Sequence, residues 1–247
     1  MLILAPEYVD VPTPSGPMRV HVLRPEGAPG QTFPGIVMFS EIYQVTGPIH
    51  RTAAMLAGQG YVVALPEIYH EFEQPGVAYP YDKEGTDRGN ELKTTKELAH
   101  YDADARAALD MLKQHPHCNG RLGTLGICIG GHLAFRCAMN PDVLAGACYY
   151  ATDIHKRSLA KGMNDDSLDR MRDITGELLM VFGRQDPHIP ADGRRIIYDA
   201  LTEADVNFTW HEFNGQHAFM RDEGHRYDPG IAHLVHTLTY DLFGRRL

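Results

Sequence analysis

Gly126-Ile127-Cys128-Ile129-Gly130-Gly131 joins an apolar run at residues 121–127 to a stretch of helical character at 131–139. Glycines two residues either side of the cysteine suit a sharp strand-to-helix turn, whose central residue has its backbone so crowded that flanking side chains would clash. Such a turn places Cys128 at a helix N-terminus, where the dipole and free N–H groups favour a thiolate. A cysteine in another setting reads as a small hydrophobe; this spacing and this strand–helix context point to a nucleophile.

Outward from that turn, short apolar runs alternate with amphipathic ones. Residues 7–12 and 18–24 flank a Pro/Ser/Gly turn and read as an opening β-hairpin. Buried strands are expected at 35–39 and 61–65, and further strands at 121–127, 144–150, 178–182 and 207–213. Helices are expected at 49–59, 94–114, 131–139, 193–204 and 231–243. Residues 66–90 read as a long loop rich in Pro, Gly, Tyr and charge, and 152–175 as a charged surface excursion with one helix over 167–173. This alternation predicts an α/β fold, with a mainly parallel sheet covered by helices on both faces. With no repeat and no linker-like segment, residues 1–247 are expected to form one domain. Ligands in such sheets bind outside the carboxyl ends of the strands.

The acid and base of an acyl-transfer site in this fold follow the nucleophile in chain order. The strand at 178–182 runs into Gly183-Arg184-Gln185-Asp186-Pro187, and the strand at 207–213 into Asn214-Gly215-Gln216-His217. His217 would take the thiol proton or pair with the thiolate, and Asp186 would fix its tautomer through the other ring nitrogen. The chain has 14 histidines, so it is the position of His217 after the last strand that singles it out. Asp186 before Pro187 also suits a plain turn former. His115 with His117, and His233 with His236, lack an obvious third ligand and read as solvated or capping residues rather than a metal site.

With 23 basic and 32 acidic residues, the formal charge of -9 gives no reason to expect nucleic acid or an anionic membrane as a partner. Cys118, Cys128, Cys137 and Cys148 fit neither a disulfide framework nor a zinc motif. Free thiols suit a reducing cytoplasm, and residues 1–6 carry no signal-peptide pattern. No apolar run is long enough to span a bilayer.

Taken together, the Cys128 turn, Asp186, His217 and the Ser40-Glu41-Ile42 segment after an early strand resemble the dienelactone hydrolase family, over about residues 7–243. The resemblance implies the α/β-hydrolase fold and a Cys-His-Asp triad that hydrolyses an ester or lactone, dienelactone-like and carboxylate-bearing, through an acyl-enzyme, with no cofactor or metal. It implies that Glu41 points at the resting thiol and helps to ionise it, and that the backbone N–H groups of Ile42 and Ile129 form the oxyanion hole. Arg221, four residues after the histidine, matches an arginine that holds the substrate carboxylate, and Arg88 is a candidate second. Gln44-Val45-Thr46 departs from the family's run of small residues after the glutamate. The excursion at 152–175 and Tyr69, Tyr79 and Tyr81 have no match. An esterase or thioesterase with an unrelated substrate would share the triad, and an oxidisable thiol sensor would share the scaffold. A small-molecule substrate and a monomer or dimer are expected.

Overall fold

The computed structural model describes residues 2–247. Its frame is one eight-stranded sheet in the order β1-β2-β4-β3-β5-β6-β7-β8. The strands are β1 (Glu7–Thr13), β2 (Gly16–Leu23), β3 (Phe33–Phe39), β4 (Val62–Pro66), β5 (Cys118–Ile127), β6 (Val143–Tyr149), β7 (Glu177–Gly183) and β8 (Phe208–Phe213). β1 and β2 form the expected hairpin, β2 runs antiparallel to β4, and every other neighbouring pair is parallel. The central strands are buried along both faces, as their uninterrupted apolar runs require.

The helices are α1 (Gly47–Gly58), α2 (Lys83–Thr95), α3 (Leu98–Gln114), α4 (Ile129–Cys137), α5 (Ala191–Glu203) and α6 (Pro229–Arg246). Strand alternation shows that they cover both faces. Gly35 pairs in register with Leu122, and its side meets Leu112 of α3. Gly123, one residue on and so facing the other way, meets Phe243 of α6. The α/β class and its mainly parallel sheet are therefore as the periodicity predicts. No helix among the described residues is long and apolar enough to cross a membrane.

Two expectations fail. The stretch read as a loop at 66–90 contains most of α2, and the single helix expected at 94–114 is broken at Lys96-Glu97 into α2 and α3. Within Lys83–Thr95 only Leu92 is a buried apolar residue, so there is no apolar period to read. The helix instead rests on tertiary fit. Asp82 caps it by accepting from Gly85 N at 2.8 Å, and a Cβ at Gly85 would lie 2.1 Å from Pro80 O and one at Gly89 2.5 Å from Ile42 O. At its C-terminal end the fully buried Lys96 ammonium lies 2.7 Å from both Glu71 and Asp104. The preceding segment is held by Glu67, which bonds His21 at 2.7 Å and accepts from Gly76 N.

The second failure is in the excursion at 152–175. The helix expected over 167–173 is only a single 3-10 turn, Met171–Asp173, with another at Ile154–Lys156. Positive φ at Asp153, Arg157, Ala160, Gly162 and Met163 keeps residues 153–163, ahead of Met171–Asp173, irregular. The buried Asp165 carboxylate organises it by accepting from Leu159 N and Ser167 N, each at 3.1 Å.

Gly89→Ala should lower the unfolding free energy by about 1–3 kcal/mol, the usual cost of overpacking a close contact, because the added methyl meets the Ile42 carbonyl. Chemical denaturation measures this, and a variant as stable as the parent would refute the fit described for α2.

Candidate active site

The sheet gathers the chemically capable side chains at its carboxyl edge. Ser40 and Glu41 follow β3, Cys128 follows β5, Thr152 and Asp153 lie beyond β6, Asp186 follows β7 and His217 follows β8. These positions open on a cleft of about 780 Å3, lined by Glu41, Ile42, Cys128, His217 and Arg221 among others.

The turn at Cys128 is tight. Its φ is 63° and ψ -121°, outside any region a non-glycine residue favours. The backbone around it leaves no alternative: a Cβ at Gly126 would sit 1.8 Å from Gly130 O, and one at Gly130 2.3 Å from Phe39 O. Cys128 N donates to Tyr149 O at 3.0 Å, and Cys128 O accepts from Gly131 N at 3.0 Å. The thiol is thus pressed out of the turn into the cleft, half-buried.

His217 Nε2 lies 3.3 Å from Cys128 Sγ, which is that sulfur's single hydrogen-bonding contact among the described residues. On the other side of the ring, His217 Nδ1 lies 2.6 Å from Asp186 Oδ2. The second Asp186 oxygen accepts from His188 N at 2.8 Å, so the carboxylate is held at both ends. Tyr150 and His188 pack edge-on against the imidazole, with ring centroids 5.0 and 4.6 Å away. Burial alone would push the His217 pKa down, but electrostatic and hydrogen-bond interactions with Cys128 and Asp186 outweigh it and raise it to about 10. Burial, followed by the nearby His217, holds His188 below the usual histidine range.

Glu41 is 2 % exposed, and burial pushes its carboxyl above the usual range against the opposing pull of Arg221 and His217. Its hydrogen bond is not to the thiol. Tyr81 Oη donates to Glu41 Oε2 at 3.2 Å and also meets Thr46 Oγ1 at 2.6 Å. Arg221 Nη1 approaches Glu41 Oε1 at 3.9 Å, its guanidinium lying 4.0 Å above the centre of the Tyr81 ring. Ile42 lines the cleft and Ile129 opens α4, and neither backbone N–H has an acceptor among the described residues.

Of the residues singled out from the sequence, Cys128, Asp186, His217, Glu41, Ile42, Ile129 and Arg221 come together. Arg88 does not. It bonds Glu73 at 2.6 Å and Glu91 at 2.9 Å on α2 and lies outside the cleft. Reading residues 66–90 as a loop hid this, because a helix turns Asp87 and Asn90 toward the cleft and Arg88 away from it. Sequence reasoning also missed Lys93, which bridges the cleft to Asp153 at 3.0 Å, and the cations Lys156 and Arg226. His188 had a signal that went unused: it sits two residues after Asp186, in the same turn.

A mostly parallel sheet with helices on both faces and a sharp, cysteine-bearing strand–helix turn at its centre defines an α/β-hydrolase. More narrowly, the chain belongs to the dienelactone hydrolase family, whose sequence profile matches residues 18–247. It is 41% identical over 256 residues to a Saccharomyces cerevisiae protein named "Putative carboxymethylenebutenolidase", covering 100% of this chain and 93% of the other. It is 27% identical over 210 residues to the "Carboxymethylenebutenolidase" of Pseudomonas putida, covering 84% of each. The crystal structure of a "Putative Dienelactone Hydrolase" from Klebsiella pneumoniae subsp. pneumoniae superposes with a TM-score of 0.86 over 99% of both chains at 22% identity, a likeness of fold.

Cys128→Ser removes the interaction with the thiol sulfur that helps to raise His217, so the imidazole pKa should fall from about 10 toward the ordinary histidine range. An NMR titration of the histidine ring signals reads this directly, and an unchanged value would contradict the coupling between His217 and Cys128.

Proposed function

We propose that the protein hydrolyses an ester or lactone that bears a carboxylate, dienelactone-like, through an acyl-enzyme on Cys128. The observation that carries this reading is the unbroken Asp186–His217–Cys128 chain of contacts, 2.6 and 3.3 Å long, ending at a strained turn that opens on the cleft.

The thiolate sulfur attacks the substrate carbonyl carbon, and the carbonyl oxygen becomes an oxyanion facing the Ile42 and Ile129 amides. Preorganised donors of this kind are each worth about 10^2–10^3 in kcat. The scissile C–O bond then breaks, and the imidazolium of His217 gives its proton to the departing oxygen. In the second half, a water loses a proton to His217 and attacks the thioester. The C–S bond breaks, the acid leaves and the thiolate returns. Asp186 stabilises the imidazolium throughout. Atoms and protons balance with substrate, water and these side chains alone.

Charge in the cleft supports an anionic substrate. Its carboxylates already have cations or capping bonds: Asp87 with Lys83, Asp153 with Lys93, Glu223 with Arg51, and Asp82 at the start of α2. Lys156 and Arg226 have no carboxylate within salt-bridge distance among the described residues, and Arg221 has only the 3.9 Å contact with Glu41. A substrate carboxylate at Arg221 would compete with Glu41 for the guanidinium. With that attraction weakened, the buried Glu41 gains proton affinity.

Cys128→Ala should reduce turnover of p-nitrophenyl acetate by about 10^4-fold or more, the scale seen when a triad member is lost; undiminished turnover would sink the reading. Arg221→Ala should raise the KM for a carboxylate-bearing lactone about tenfold or more, a loss of one charge-assisted contact, while sparing the neutral ester. Unchanged KM for the carboxylated lactone would instead favour an esterase or thioesterase with an unrelated substrate.

A further inference from the structure

Gln44 is an unexpected residue for its position. Its φ is 63°, in the left-handed region where glycine or asparagine is the cheap choice. The chain uses glycine at some such places, Gly60 and Gly76 among them, and other residues elsewhere. A long side chain there needs compensation from what it touches, and Gln44 is 1 % exposed.

Its side-chain amide bonds at both ends to the backbone of the segment between β4 and α2. Nε2 donates to Val77 O at 2.9 Å, and Oε1 accepts from Tyr69 N at 3.2 Å. Beside it, Tyr79 N donates to Tyr43 O at 3.0 Å. Gln44 N meanwhile donates to Glu41 O at 3.1 Å, closing the turn Glu41-Ile42-Tyr43-Gln44 on itself. On the far side of that turn, Gly89 of α2 lies so close to Ile42 O that a methyl group would not fit. The Ile42 peptide is therefore clamped between α2 and a turn that Gln44 stitches in place.

We propose that Gln44 is a positioning residue for the oxyanion site: its two amide hydrogen bonds lock the 41–44 turn so that the Ile42 N–H faces the substrate oxygen. This rests on reading Cys128 as the nucleophile and Ile42 as an oxyanion donor. Glycine would satisfy the backbone but supplies neither bond, so the glutamine holds the turn by contact where a small residue would only permit it. A displacement of about 1 Å at such a donor is enough to cost 10^2-fold in rate.

The test compares two reactions of the same thiol. Acylation by p-nitrophenyl acetate builds an oxyanion; alkylation by iodoacetamide, a displacement at a saturated carbon, builds none. Gln44→Gly removes both bonds without adding backbone strain. It should slow the p-nitrophenolate burst about 10- to 100-fold while leaving the alkylation rate of Cys128 within about twofold, with KM little changed. Gln44→Glu keeps an acceptor for Tyr69 N but turns an oxygen toward Val77 O, and should behave likewise. Acylation at the parental rate in Gln44→Gly overturns the proposal, as does an equal fall of acylation and alkylation, which marks general damage to the site. If the parent protein forms no acyl adduct on Cys128, or Cys128→Ala retains turnover, the nucleophile reading itself has failed and takes this one with it.

Discussion

The backbone of Cys128, bent to φ 63° between β5 and α4, is the constraint on which the rest of the site depends. A non-glycine residue holds such a conformation only where its surroundings over-determine it, at a cost of order 1–3 kcal/mol. Here the surroundings are the ends of two neighbouring strands. Phe39 and Ser40 at the end of β3 press on Gly130, and Tyr149 and Ala151 at the end of β6 press on Gly131. The three parallel strands must therefore end at matching heights for the turn to exist. Once they do, Glu41 and Thr152 are delivered to either side of the thiol by the same strand ends.

Around that turn the protein arranges three buried or half-buried carboxylates in different ways. Asp186 is held at both oxygens and serves the imidazole. Asp153 is bound to Lys93, Thr152 and Ser158, and ties α2 across the cleft. Glu41 has the loosest set, one tyrosine hydroxyl and a guanidinium at 3.9 Å. Burial raises the proton affinity of Glu41, whereas Lys93 keeps Asp153 below the usual carboxylate range despite its burial. The carboxylate with the weakest hold is thus the one that lines the cleft together with Cys128.

Legibility in the sequence divided along the range of the interactions. The strands and the turn at Cys128 were readable because their demands are local: apolar runs for two buried faces, and glycines where a Cβ cannot fit. The placement of Cys128, Asp186 and His217, in that order, was readable for the same reason, each following an identifiable strand. Helix α2 was not, since Lys83–Thr95 buries only one apolar side chain and is held by caps, glycine contacts and the buried Lys96. That error carried Arg88 with it. The helix over 167–173 failed in the opposite sense, its polar run being organised by the buried carboxylate of Asp165 rather than by a helical period.

By itself, the sequence determined an α/β sheet with a cysteine at its central strand–helix turn and an acid and a histidine after later strands. These follow from steric and hydrophobic rules acting over a few residues. Only the tertiary structure decided the partners: that His217 meets the thiol while Glu41 bonds Tyr81, that Arg221 faces the cleft while Arg88 is taken by Glu73 and Glu91, and that Gln44 reaches the 69–77 segment. The reason is physical. Which charge pairs with which, and which loop closes over a site, depends on distances between segments far apart in the chain, and no local pattern of residues encodes them.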